Sequence, residues 1–278
     1  GTPQPRSAPG EHGGAGEVVG EGGGAMAFDL SSIKRGPDLK PPRIVLMGTE
    51  GVGKSTFAAG APNPIFIQTE DGLGTLESAR FPMIESVDQI RAAIGTLYQQ
   101  EHEFETVVLD SADHLELIIS REIETKYDAK DLAYGKSAIK QSEIWQELLG
   151  GFSALRNDKG MSIIILAHTQ IKRFDSPETE PYDRYVMKLQ ERSSSYLREW
   201  CDALLFANYR TVVKKAEVGF NKEVARGITT GERLIFTTEK PAYQAKNRYG
   251  LPDSLPLNWA ALSNAIAGRA QSAQPLAA

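Results

Sequence analysis

The sequence predicts an α/β fold: a mainly parallel sheet flanked by helices, with antiparallel strands added near the C-terminus. Three observations carry this. Short runs such as Arg43–Met47 and Ser162–Ala167 are largely apolar rather than alternating, the pattern of strands buried on both faces. Segments of helical spacing separate them: Trp145, Leu148, Leu149, Phe152 and Leu155 fall on one helical face. Past residue 208 the pattern changes to shorter β-rich runs. Strands buried on both faces and separated by helices form a layered, mostly parallel sheet.

Residues 1–25 hold nine glycines and almost no large apolar side chain, so they cannot offset the entropy of ordering and are expected to be a disordered tail. Met26 reads as a natural start, with the residues before it added for expression. One domain is expected over 26–267, followed by an Ala/Gln/Pro-rich flexible tail over 268–278. Within the domain, Arg43–Met47 is the first strand, bounded by Pro41-Pro42 and Gly48. Ile65–Gln68 follows from the turn Ala61-Pro62-Asn63-Pro64, and Thr106–Leu109, Ser162–Ala167 and Ala203–Ala207 complete the parallel set. Residues Ile171–Tyr185 show no apolar period and contain Pro177 and Pro181, which predicts a mobile loop. Arg233–Thr238 and Ala242–Ala245 read as antiparallel additions at one edge.

Composition bounds the function classes. With 41% hydrophobic and 24% charged residues, the chain resembles ordinary soluble globular proteins. No apolar run approaches the length of about 18 residues that spans a bilayer, and no signal-peptide pattern opens the chain. The single cysteine, Cys201, excludes an internal disulfide framework and is expected to be a buried thiol. Together these point to the cytoplasm, without a membrane partner. The net charge of −5 excludes a globally basic nucleic-acid coat. Between Asn208 and Arg248, however, nine basic residues face four acidic ones, a balance of +5 that suits either a solvated hairpin surface or a polyanion-facing one.

The chemistry concentrates in Gly48-Thr49-Glu50-Gly51-Val52-Gly53-Lys54-Ser55. This Gly-x-x-x-x-Gly-Lys-Ser pattern follows a strand and opens a helix, the placement a phosphate-cradling loop needs. Its glycines allow backbone conformations that bring N–H groups against phosphate oxygens, and the helix N-terminus adds partial positive charge. The pattern thus predicts an ATP site with Mg²⁺: Lys54 on the β- and γ-phosphates, Ser55 on the metal, Thr56 on the α-phosphate. Asp110 stands at the end of the apolar run Thr106–Leu109, where a carboxylate orients the metal's water shell. Glu70 falls just past the strand Ile65–Gln68, at the edge where open α/β sheets place ligands, and suits a base acting on the attacking water. After Ser162–Ala167 come His168, Thr169 and Gln170, polar side chains in a position to sense the γ-phosphate. The four histidines show no metal-ligand spacing with Cys201, so no zinc site is expected.

The order of phosphate loop, Phe66-Ile67-x-x-Glu70, Val107-Val108-Leu109-Asp110-Ser111 and apolar strand followed by Gln170 resembles the RecA-like recombinase core. It is most similar to phage ATP-binding proteins of single-strand annealing and recombination. The resemblance spans about residues 40–258, and its most specific part runs from Gly53-Lys54-Ser55-Thr56-Phe57-Ala58 to Glu70-Asp71-Gly72. It implies that Glu70 is the catalytic base, that Gln170 senses the γ-phosphate, and that Ile171–Met187 is a DNA-binding loop using Lys172, Arg173 and Arg184. It further implies that Lys246 and Arg248 reach the γ-phosphate of a neighbouring subunit, with ATP between protomers of a ring or filament. Against the family pattern, neither a long N-terminal docking helix nor a separate C-terminal DNA-binding domain is visible, and Phe28-Asp29-Leu30 is a short substitute for the former. The DNA loop also carries Asp175, Glu178, Glu180 and Asp183, which predicts modest, salt-sensitive DNA affinity.

The expectation is therefore a DNA-stimulated ATPase that binds single-stranded DNA in recombination or annealing. A single-strand-binding protein is a candidate partner, and the setting is a bacterial cytoplasm if the chain is phage-encoded. Two alternatives share the core: a hexameric helicase or translocase, and an ATP-switched assembly module with little turnover.

Overall fold

The computed structural model describes residues 1, 33, 40–217 and 223–272, with backbone alone for 212–217, 223–229 and 269–272. Expectations for residues 2–25, Phe28-Asp29-Leu30, Lys222 and 273–278 lie outside the described residues, as do the side chains of Lys214, Lys215 and Arg226. The chain divides into two units, Gly1–Pro37 and Asp38–Ala278. Every helix and strand among the described residues lies in the second unit.

Its elements begin β1 (Arg43–Gly48), α1 (Lys54–Ala59), β2 (Pro64–Gln68), β3 (Ala79–Arg80), α2 (Val87–Gln99) and β4 (Thr106–Asp110). Next come α3 (Ala112–Lys126), α4 (Ala129–Leu132), α5 (Lys136–Lys159), β5 (Ser162–Phe174), β6 (Tyr182–Met187) and α6 (Glu191–Trp200). The chain continues through β7 (Ala203–Glu217), β8 (Glu223–Phe236), β9 (Lys246–Asn247), β10 (Ser254–Pro256) and α7 (Trp259–Ser272).

The sheet runs β10-β8-β7-β1-β5-β4-β2-β3. From β7 to β3 every pairing is parallel, whereas β8 and β10 are antiparallel additions. The predicted fold class therefore holds. Its physical basis is legible in β1 and β5, whose alternate residues feed two cores. Val45, Met47, Ile163 and Ile165 face the layer of α2, α3, α5 and α6, and Ile44, Leu46, Ile164 and Leu166 face that of α1 and α7. Both faces are apolar because both are covered. In α5 all five residues of the predicted stripe are buried, with Trp145 fully enclosed.

Three expectations are corrected. Ile171–Tyr185 is not a structureless loop: β5 continues to Phe174 and β6 returns antiparallel from Tyr182, so most of the segment is a hairpin. Two ladder strands satisfy each other's backbone groups, which an apolar-period search does not detect when both faces are partly wet. Ala242–Ala245 is not a strand; only isolated bridges form at Tyr243, and the short β9 follows. Residues 268–272 belong to α7 rather than to a tail.

At the lower end of the sheet, Asp202 draws a set of cations together. It accepts from the Arg43 backbone and guanidinium (2.8 Å at the closest) and from Arg156 at 3.2 Å, tying the starts of β1 and β7 to the last turn of α5. Cys201 beside it is a buried free thiol whose pKa burial pushes up to about 11, so it is unreactive as expected of an enclosed thiol. Among the described residues, no helix is long and apolar enough to cross a membrane.

Candidate nucleotide site

The upper ends of β1, β2, β4 and β5 open into a cleft of 480 Å³, within the range of small-molecule sites. Beneath it, Gly48 pairs with His168 of β5 and Ala207 of β7. A Cβ at Gly48 would lie 2.6 Å from the Ala207 carbonyl oxygen, so glycine is required there by strand packing as much as by any phosphate. Gly51 (φ 70°) and Gly53 (φ 105°) take the left-handed conformations that turn the loop into α1. Val52 is buried in the core and offers the site its backbone alone, while Thr49 is half-buried and Glu50 and Thr56 are exposed.

Lys54 is 6% exposed, and its amine bonds the loop's own carbonyls at Gly48 (3.2 Å) and Thr49 (3.1 Å). Burial lowers its pKa, and the carboxylates of Asp110, Asp113, Glu70 and Glu50 work against that shift. The cation is held at the loop's mouth with its donors facing oxygen.

The Ser55 hydroxyl donates to Asp110 Oδ2 at 2.7 Å. Burial raises the Asp110 pKa, opposed by the Ser55 bond and by Lys54. A hydroxyl and a carboxylate, both hard oxygen donors beside the phosphate loop, fit a Mg²⁺ ion that keeps several of its waters. Bound there, Mg²⁺ would neutralise phosphate charge; Ser55 and Asp110 are the side chains that would hold it.

Glu70 is brought to this pair by the exits of β2 and β4. The Thr69 backbone donates to the Asp110 carbonyl (2.8 Å), its hydroxyl donates to the Ser111 carbonyl (2.8 Å), and the Ser111 N–H returns to that hydroxyl. Glu70 then lies 3.2 Å from His114 Nδ1 and 3.9 Å from His168 Nδ1. Asp113 clamps His168 twice, accepting from its backbone N–H and meeting its Nδ1, each at 3.0 Å. Burial pushes the Asp113 carboxyl up, yet the His168 bonds together outweigh it and hold the pKa at about 2. The same bond raises the His168 pKa.

Sequence reasoning missed His114 and Asp113, which only the turn from β4 into α3 delivers, and it passed over Arg233. From β8, Arg233 lines the cleft, with Nη1 3.1 Å from where a Cβ on Gly53 would sit and its guanidinium over Tyr209. A cation on a strand two places away in the sheet leaves no local signal.

Other expected residues lie elsewhere. His168 rather than Gln170 lines the cleft; Gln170 is exposed, and its side-chain amide reaches only the Met187 carbonyl, at 3.4 Å. Lys246 is corrected as a cation free to reach a neighbour: its amine is engaged by the carbonyls of Arg198, Glu199 and Cys201, closing the C-terminal end of α6. Arg248 is 54% exposed, 3.5 Å from Asp202. On the hairpin, Lys172 pairs with Glu191 (2.9 Å), and Arg173 is exposed with no ion-pair partner among the described residues. Arg184 is corrected as a DNA contact: it is buried, paired with Glu239 at 2.7 Å, and stacked under Phe174.

A glycine-lined phosphate loop on the central strand, a serine–aspartate pair and a strand-end glutamate around one cleft define the P-loop nucleotide-binding class. The family model described as an AAA domain matches residues 40–249, and the chain belongs to that family. Among solved structures, that titled "Crystal structure of the RadB recombinase" is similar at 16% identity and a TM-score of 0.42, over 80% of this chain and 90% of that one. None of the curated proteins compared matches.

Proposed function

We propose that this protein is an ATPase that hydrolyses ATP to ADP and phosphate and works on single-stranded DNA in recombination or annealing, as a self-assembling, phage-type protein of the bacterial cytoplasm. The observation that carries the ATPase reading is the convergence of Lys54, the Ser55–Asp110 pair and Glu70 on one cleft. Lys54 offsets phosphate charge, and its desolvation strengthens that interaction. Glu70, beside the phosphate loop and part-exposed to the cleft, accepts the proton of the attacking water. His168, clamped by Asp113 at the end of β5, takes the γ-phosphate-sensing place that the resemblance gives to Gln170, and Arg233 adds a cation from the nucleotide's other side.

The DNA reading is supported by the resemblance and by the hairpin. Arg173 is uncommitted, Lys172 is exposed, and Phe174, 39% exposed and packed on Tyr182, offers a ring to a base. Assembly places ATP between protomers, with Arg248 rather than Lys246 as the cation available to a neighbour. A single-strand-binding protein suits the modest affinity expected of so neutralised a hairpin.

The test is ATP turnover with and without single-stranded DNA for the parent, Lys54→Ala and Glu70→Gln. The expected outcome is DNA-stimulated hydrolysis, lost by about a hundredfold or more in either variant, with Glu70→Gln still binding ATP. Equal turnover in Glu70→Gln and parent removes Glu70 as the base. Absence of DNA binding at low salt with ATP present removes the recombination reading.

A further inference from the structure

Glu70 and His168 line the cleft and His114 stands against Glu70, three side chains of metal-ligand type that hydrolysis uses only in part. Glu70 follows β2, His114 lies in the first turn of α3, and His168 stands on β5. One donor atom from each lies within 4.8 Å of the other two. In tetrahedral zinc sites, bonds of about 2.0–2.1 Å put donor atoms about 3.3 Å apart. His114 Nδ1 and Glu70 Oε2, at 3.2 Å, already match that edge. The remaining gap is within reach of a modest rotation of part-exposed side chains.

The chemistry of the set selects its ion. Two imidazoles and one carboxylate suit zinc and its transition-metal neighbours, whereas Mg²⁺ prefers all-oxygen, water-rich shells. The Ser55–Asp110 pair is of that second kind, so the two sites differ in type as well as place. The surroundings of His168 are those of a metal-bound histidine, whose second nitrogen is usually held by a carboxylate, backbone carbonyl or water. The buried Asp113 carboxylate meets His168 Nδ1 at 3.0 Å, leaving that ring's Nε2 as donor, while His114 offers the Nδ1 that already faces Glu70. With side-chain exposures of 22% for Glu70, 37% for His114 and 15% for His168, the cleft gives an ion a way in and leaves its fourth position to water.

We propose that Glu70, His114 and His168 form a binding site for one divalent transition-metal ion, zinc fitting best, distinct from the Mg²⁺ position. Binding occupies the Glu70 carboxylate, so the bound ion stops it from accepting a proton and inhibits hydrolysis while ATP stays bound. The site itself rests on geometry; only its effect on turnover rests on the proposed ATPase function. Spacing in the chain conceals this set, because its members are 44 and 54 residues apart and meet only through the sheet order (114 − 70 and 168 − 114).

The experiment uses the full chain freed of metal by a chelator. Zinc chloride is titrated in competition with a chromophoric zinc chelator, for the parent, His114→Ala, His168→Ala and a Cys201→Ser control, each checked for folding by circular dichroism. The expected result is one zinc per parent chain, an affinity lower by about tenfold or more in each histidine variant, and no change in the control. His114→Gln, a milder change, gives the same loss if folding of the alanine variant is impaired. In turnover assays zinc then inhibits the parent and spares His114→Ala, each relative to its own zinc-free rate, without displacing a fluorescent ATP analogue. No stoichiometric binding by the parent, or equal binding by the parent and both histidine variants, overturns the site. Because the titration needs no turnover, failure of the metal site and failure of the ATPase reading are separately visible.

Discussion

The nucleotide cleft and the β5–β6 hairpin both carry charge at one end of the same strand, yet they treat it in opposite ways. In the cleft, buried or half-buried groups from several strands converge, and Lys54, Asp110 and Glu70 face one another with room for a ligand between them. On the hairpin, Lys172 and Arg184 are already answered by Glu191 and Glu239 of the same chain. A charge held among buried neighbours is pre-aimed and strong, whereas an exposed pair such as Lys172–Glu191 is worth little and screened by salt. The cleft thus has the features that suit tight binding of a defined anion, and the proposed contact of the hairpin with a polyanion would be weak.

Five substitutions probe that contrast. The largest effect is expected at Gly48→Ala. Its Cβ would meet the Ala207 backbone oxygen at 2.6 Å, where neither strand can yield without opening the β1–β7 ladder. A loss of about 3 kcal/mol of stability, read by chemical denaturation, is the expectation; a parent-like midpoint would show the sheet to be more compliant than its register implies. Next is Arg184→Ala, which leaves Phe174 unsupported and Glu239 unpaired. It should cost about 2 kcal/mol of stability and leave single-stranded DNA affinity near parent once folded. A selective loss of DNA binding would restore Arg184 as a contact.

Arg233→Ala tests the cleft's far wall. Loss of one charge-assisted contact predicts ATP binding weaker by about tenfold, measured by titration of a fluorescent nucleotide, with little change in melting temperature. Unchanged affinity would make Arg233 a partner of Tyr209 only. The smallest effects belong to the exposed side chains of the hairpin. Phe174→Ala should weaken single-stranded DNA binding by about fivefold to tenfold without changing its salt dependence. Arg173→Ala should weaken it by about threefold and lower the salt slope by about 0.7. If both leave DNA binding unchanged at low salt, the interface lies elsewhere.

Much of the cleft was legible from the chain because its parts are local. Gly48–Ser55 is contiguous, and Asp110 and Glu70 each close an apolar strand, so strand prediction alone places them at one edge of the sheet. Gln170 misled for a related reason. Strand β5 continues beyond the sheet edge into the hairpin, so the residue at the cleft is His168, two positions earlier on the same face. Lys246 misled because a surface-type residue in sequence can end against helix carbonyls in space, and no period reports that.

The class of sheet and the phosphate loop follow from the chain alone: both depend on apolar runs, helical spacing and glycines at fixed offsets, all interactions between near neighbours. Which distant polar side chains share the cleft is a matter of tertiary structure. His168 enters from β5 and Arg233 from β8, with His114 and Asp113 of α3 against Glu70 and His168, and the order β8-β7-β1-β5-β4-β2 brings them together. A sheet assembled out of sequence order juxtaposes residues whose separation along the chain carries no information about their distance. The hairpin's neutralised cations and the histidines beside Glu70 therefore become visible only once the strands are in place.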